Sequence, residues 1–147
     1  MYRTRQIRIK EGHRFYPYCE NICRASVNLY NRATYLIRQY ATAADRIEKK
    51  KDLTENQKTA CEMIRKVTQG TKFFPKSSWL NYKQLDFILK STEDAAYRGM
   101  PAQANQQTLK CVIRNFESFF ESVKEYKERP ERFTGKPKMP GYKKKDP

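Results

Sequence analysis

Histidine and tryptophan occur once each in this 147-residue chain, as His13 and Trp79. With one imidazole and no Cys-x-x-Cys pair, the donors for a zinc site are too few. The four cysteines, Cys19, Cys23, Cys61 and Cys111, do not form a disulfide framework. Each lies on or beside an apolar helical stripe, which predicts buried free thiols. Long apolar runs, a signal peptide and lipidation motifs are missing, so the sequence predicts no membrane partner and a cytoplasmic location. Acids are scarce: 16 Asp plus Glu face 31 Lys plus Arg, a formal charge of +15. Among them Asp45, Asp52, Asp86 and Asp94 fall in connectors and on helix surfaces, not at successive strand ends where a two-metal site assembles. No catalytic residue, metal ligand or cofactor is therefore expected.

What is present points to one packed, polyanion-seeking domain. Ten Tyr and eight Phe set the chain apart from disordered sequences. The length allows a modest core. A charge of this size self-repels unless it meets a polyanion, and nucleic acid is the first candidate.

The longest helical pattern runs from Pro101 to about residue 127. Leu109, Val112, Ile113, Phe116, Phe119, Phe120 and Val123 recur at steps of mostly three and four and predict the buried face. Pro101 suits the first turn. The opposite face carries Gln103, Gln107, Lys110 and Arg114, with no acid before Glu117 and Glu121. Such a line of amides and cations suits a sugar–phosphate backbone. A plain solvated face is the alternative.

Residues 2–10 read as a strand whose four cations, Arg3, Arg5, Arg8 and Lys10, keep one side wet or against phosphate. Residues 17–44 read as a helix with the apolar stripe Cys19, Ile22, Cys23, Val27, Tyr30, Thr34, Ile37 and Ala41. The opposite stripe, Arg24, Asn28, Asn31, Tyr35 and Arg38, mixes cations, amides and a ring that can stack on a base. Asp45 to Asp52, with the run Lys49-Lys50-Lys51, reads as a charged, solvated connector. Thr54 and Gln57 form a capping box for a helix that Gly70 stops. Ser77 or Ser78 is expected to cap the next helix, which Trp79 anchors. Beyond Arg129 proline, glycine and lysine dominate, and no helix continues. That tail is either disordered or one part of a strand pair.

Three places carry a resemblance to a known family. The basic segment 2–10 is one, and Asn28-Leu29-Tyr30-Asn31 is another. The third joins Met100-Pro101-Ala102-Gln103, Gln106-Gln107, Phe116-x-x-Phe119-Phe120 and Gly135-Lys-Pro-Lys-Met-Pro-Gly-Tyr-Lys-Lys-Lys145. Together they resemble the N-terminal half of the TnpB (OrfB) transposon-encoded RNA-guided nucleases, relatives of compact type V CRISPR effectors. The resemblance implies a mainly α fold. Residues 1–12 would be a wedge-type strand, 13–128 a helical-bundle recognition lobe, and 129–147 a Pro/Gly/Lys-rich segment of an incomplete wedge β-domain. The wedge parts, including Lys136, Lys138, Lys143, Lys144 and Lys145, would grip guide RNA, and the lobe would hold the guide–target DNA duplex. The family's RuvC nuclease and zinc insert lie beyond this segment, and the chain ends at Pro147, so a binding portion without nuclease activity is expected. The alternatives are a stand-alone helix-turn-helix-like DNA-binding protein of repressor type and an assembly partner of a separately encoded nuclease half.

Overall fold

Between Pro17 and Lys49 the chain has no glycine and no second proline, and nothing there interrupts a helix. The computed structural model, which describes residues 1–145, accordingly shows one helix, α1 (Tyr16–Glu48), of 33 residues and about 50 Å. Pro17 sits in its first turn. Its buried centre is Leu29, Ala33, Leu36, Tyr40 and Ala43, flanked by Tyr30, Thr34 and Ile37. The expected stripe thus caught one edge of the seam and missed its middle. Four helices follow: α2 (Glu55–Thr68), α3 (Tyr82–Ser91), the single turn α4 (Ala95–Arg98) and α5 (Ala102–Glu128), then a 3-10 turn at Pro130–Arg132. α1 packs on α2, α4 and α5, while α3 packs on α2 and α5.

The helix ends follow from identifiable residues. Thr54 and Gln57 do form a reciprocal capping box on α2. α3 is capped by Asn81 with Gln84, not by Ser77 or Ser78. Ser77 instead turns its hydroxyl to the Trp79 N–H. α1 stops in a Schellman turn: the N–H groups of Lys50 and Lys51 donate to the carbonyls of Ile47 and Arg46, with Lys50 at φ 54. The same pattern closes α3, where Glu93 holds φ 51 and Glu93 and Asp94 donate to Lys90 and Leu89. The expected connector from Asp45 therefore begins late: α1 continues through Asp45 to Glu48, and the exposed lysine run is where it stops. Gly70, at φ 74, is the left-handed residue after α2, as its position predicts.

The core draws on α1, α2, α3 and α5, with Ile64, Leu80, Leu85, Ile88, Leu89, Leu109, Val112 and Phe116 fully enclosed. The α5 stripe thins toward its C-terminal end, where Phe119, Phe120 and Val123 are only half-buried. Trp79 meets Phe120 edge-on at 4.9 Å, so it is a half-buried aromatic anchor. Of the cysteines only Cys61 is buried; Cys19 is half-buried, and Cys23 and Cys111 are exposed. The expectation of four buried thiols fails because no described helix covers the face of α1 that carries Cys19 and Cys23 and because Cys111 lies on the polar side of α5.

No strand occurs among the described residues, and residues 1–10 are exposed throughout. A strand needs a neighbour that offers its backbone groups, and segment 2–10 has none. The tail does fold onto the helices. The expected segment 129–147 includes two residues, 146 and 147, that lie outside the described residues.

Candidate nucleic-acid interface

The corner before α5 is fixed by buried polar contacts. Asn105, 3% exposed, donates to the carbonyls of Tyr97 and Met100. Asp94 caps α4 through the Ala96 N–H and pairs with Arg32 of α1 at 2.8 Å. Tyr97 donates to Asp86 at 2.6 Å, and burial together with that bond pushes its pKa up to about 12. Gly99 lies so close to α1 that an added Cβ would stand 3.2 Å from the Ala25 Cβ.

From this corner α5 presents Gln103, Gln107, Lys110 and Arg114, all exposed. Neither cation is in an ion pair with a described acid. The Lys110 ammonium lies 5.6 Å from the Tyr82 ring centre. Beyond Arg114 acids enter the exterior. Glu117, Glu121, Glu125 and Glu128 are exposed, with Lys124 and Arg132 as partners for two of them. α5 is therefore free of acids over its N-terminal half and mixed in charge over its C-terminal half, where Lys124 and Lys127 stand among four glutamates.

The second expected surface, on α1, is largely taken by the chain's own tail. The Asn31 carboxamide accepts the Lys143 N–H at 2.8 Å and donates to its carbonyl at 2.9 Å. Arg38 donates to the Pro140 carbonyl at 2.6 Å and faces the Tyr142 ring at 5.5 Å. Lys143 lies over the Tyr30 ring at 4.5 Å. Met139 packs on the core. The tail thus runs as a strap antiparallel to α1. The spacing explains the fit: three extended residues from Pro140 to Lys143 and two helical turns from Arg38 to Asn31 both span about 10 Å. Asn31 and Arg38 consequently hold protein. Tyr35 also packs partly on the core, with the Arg32 guanidinium 5.8 Å away.

Arg24 and Asn28 remain exposed. The strap brings Lys145 beside them around a cavity of about 280 Å³, and Lys144 lines a larger one next to it. Arg3, Arg5, Arg8, Lys10, Lys136 and Lys138 are exposed as well. Sequence reading did not find the half-buried Tyr16 or Glu20 at the larger cavity; only the strap gives them neighbours, and no local pattern announces it. Of the aspartates Asp45, Asp52, Asp86 and Asp94, three carboxylates are in ion pairs: Asp86 with Lys90, Asp45 with Lys49 and Asp94 with Arg32. Asp52 offers only its main-chain carbonyl, which accepts from Arg46. Burial raises the Cys61 thiol pKa, which disfavours a reactive thiolate.

Fold and surface together define a mainly helical domain with a cationic, donor-rich exterior and, among the described residues, no helix long and apolar enough to cross a membrane. Comparison with protein-family models, with curated proteins and with solved structures returns no match.

Proposed function

We propose that the chain binds nucleic acid along the N-terminal half of α5 and does not itself cleave it. In the fuller form of this reading it is a TnpB-like recognition portion, with guide RNA and the guide–target DNA duplex as ligands. The observation that carries it is the uninterrupted exposed line Gln103, Gln107, Lys110 and Arg114, with no acid partner among the described residues, on a chain of net charge +15. Phosphate oxygens accept from cations and amides alike, and neither group needs a fixed base sequence.

Filter binding across a salt series tests this. Replacing Lys110 and Arg114 with Ala should weaken RNA binding and lower the salt slope by about one unit per lost phosphate contact. Melting should stay within about 0.5 kcal/mol of the parent, because both side chains are solvated. Gln103→Ala and Gln107→Ala should weaken binding at an unchanged slope, since an amide displaces no counterion. A double cation variant that binds like the parent at every salt concentration sinks the reading. Competition by structured RNA above random duplex supports the guide-RNA form, and preference for duplex DNA supports the repressor-type alternative.

The exposed segment 1–10 favours a second element of the same reading. Tyr2 and Ile7 stand in solvent beside four cations, as an unpaired wedge-type strand would before it met RNA or a separately encoded nuclease half.

A further inference from the structure

The face of α1 that carries Cys19, Cys23 and Val27 is covered by no described helix, yet it is not bare. Ile9 from the N-terminal segment and Lys144 and Lys145 from the strap close a cavity of about 510 Å³ against it. Tyr16, Cys19 and Val27 line the helix side of that cavity, and all three are half-buried. The smaller cavity of about 280 Å³ adjoins it, sharing Arg24, Val27 and Lys145 and adding the Asn28 amide. The two share lining residues and together bring apolar side chains, the Tyr16 ring and cations around one space. Within it the only described carboxylate is Glu20, already paired with Arg24 at 2.8 Å. Lys144 and Lys145 pair with no described acid.

We infer that this cleft holds a short unpaired segment of nucleic acid: one base stacks on Tyr16, and the phosphates that follow run along α1, about 16 Å toward Val27, to rest on Lys144 and Lys145. The inference rests on the nucleic-acid reading and adds a preference for single strands. Each part of the lining rejects a simpler occupant. A bare phosphate would leave the apolar lining unused, and an aliphatic side chain would leave the lysines unused. A duplex keeps its bases stacked inside and presents only backbone. The volume is within the range of small-ligand sites, and a base on an aromatic ring beside cations is how single strands are held without sequence preference. The strap matters directly, because Asn31 fixes Lys143, and Lys144 and Lys145 follow it onto the rim.

The cysteines supply the test without any substitution. Cys23 lines the cavity and is exposed. Cys111 is exposed on α5 beside Lys110 and reports on the other surface. Alkylation of the intact chain by iodoacetamide would be followed at each cysteine by mass spectrometry. The probes are an oligodeoxythymidylate of about twelve nucleotides, inside the usual footprint of single-strand sites, and an abasic strand of equal length. At ten times its dissociation constant the thymidylate should slow Cys23 alkylation about tenfold, since only the free fraction reacts. The abasic strand should protect Cys111 and leave Cys23 reactive. Protection of Cys111 alone by both strands overturns the nucleotide cleft and leaves the α5 reading standing. Protection of neither cysteine overturns both. Equal protection of Cys23 by the two strands reduces the cleft to a phosphate contact, and equal protection by polyglutamate reassigns it to an acidic protein partner; either result overturns the inference.

Discussion

Phe116 and Phe120 stand one turn apart on α5, within one aromatic cluster, with ring centres 6.5 Å apart. Their surroundings differ. Phe116 is fully enclosed, whereas Phe120 is half-buried beneath Trp79. Phe116→Ala should cost about 3–5 kcal/mol, because it removes a whole ring from a sealed site. Phe120→Ala should cost about 1–2 kcal/mol, in proportion to the smaller area returned to water. Urea denaturation of the two variants checks the order; equal midpoints would place both rings in the same environment. The sequence pattern names both residues, but periodicity cannot say how far along a helix its partners extend. Asn105 shows the reverse case. It is a polar residue buried at the corner, and it looks like any other amide of the Gln-rich run around it.

At the scale of the element, Lys50 holds a left-handed backbone at φ 54 in the turn that ends α1. A side chain there costs about 1–2 kcal/mol relative to glycine, and the greater freedom of glycine in the unfolded chain offsets part of that. Lys50→Gly should therefore raise stability by about 1 kcal/mol, seen as a higher melting temperature; a lower one would show that the lysine side chain contributes more than the strain it imposes. Where helices begin is easier to read than where they turn. The Thr54 to Gln57 box is visible in the sequence because both partners are local. Asn81 and Gln84 make the same box, but Ser77 and Ser78 are equally good caps by residue type. The choice falls to packing, which encloses Leu80 just before the helix. On α1, a long helix with apolar residues on more than one side, the burying face depends on where α2 and α5 land.

At the scale of the whole molecule the strap joins the end of the chain to the middle of α1. Asn31→Ala removes both hydrogen bonds to Lys143. Each is exposed, so together they contribute about 1 kcal/mol and melting should scarcely change. Trypsin should nevertheless cut at Lys143 to Lys145 markedly faster, because that backbone loses its anchor; an unchanged cleavage rate would mean that Arg38 and Met139 hold the strap alone. This is also where the candidate site was least legible. Gln103, Gln107, Lys110 and Arg114 share a face by spacing within one helix. That Asn31 and Arg38 grip the tail depends on residues more than a hundred positions away, which no local pattern records. The uneven placing of acids along α5 carries one further consequence. At physiological ionic strength charges act over about 8 Å, so the two ends of a helix about 40 Å long act independently. On the proposed reading a phosphate chain along α5 meets unopposed cations from Ala102 to Arg114, about 20 Å of helix axis, and a mixture of acids and bases beyond. At about 3.4 Å per base pair that length is about six base pairs. On the proposed reading α5 then measures out its own contact: the grip runs as far as Arg114 and ends where the glutamates begin to offset the lysines.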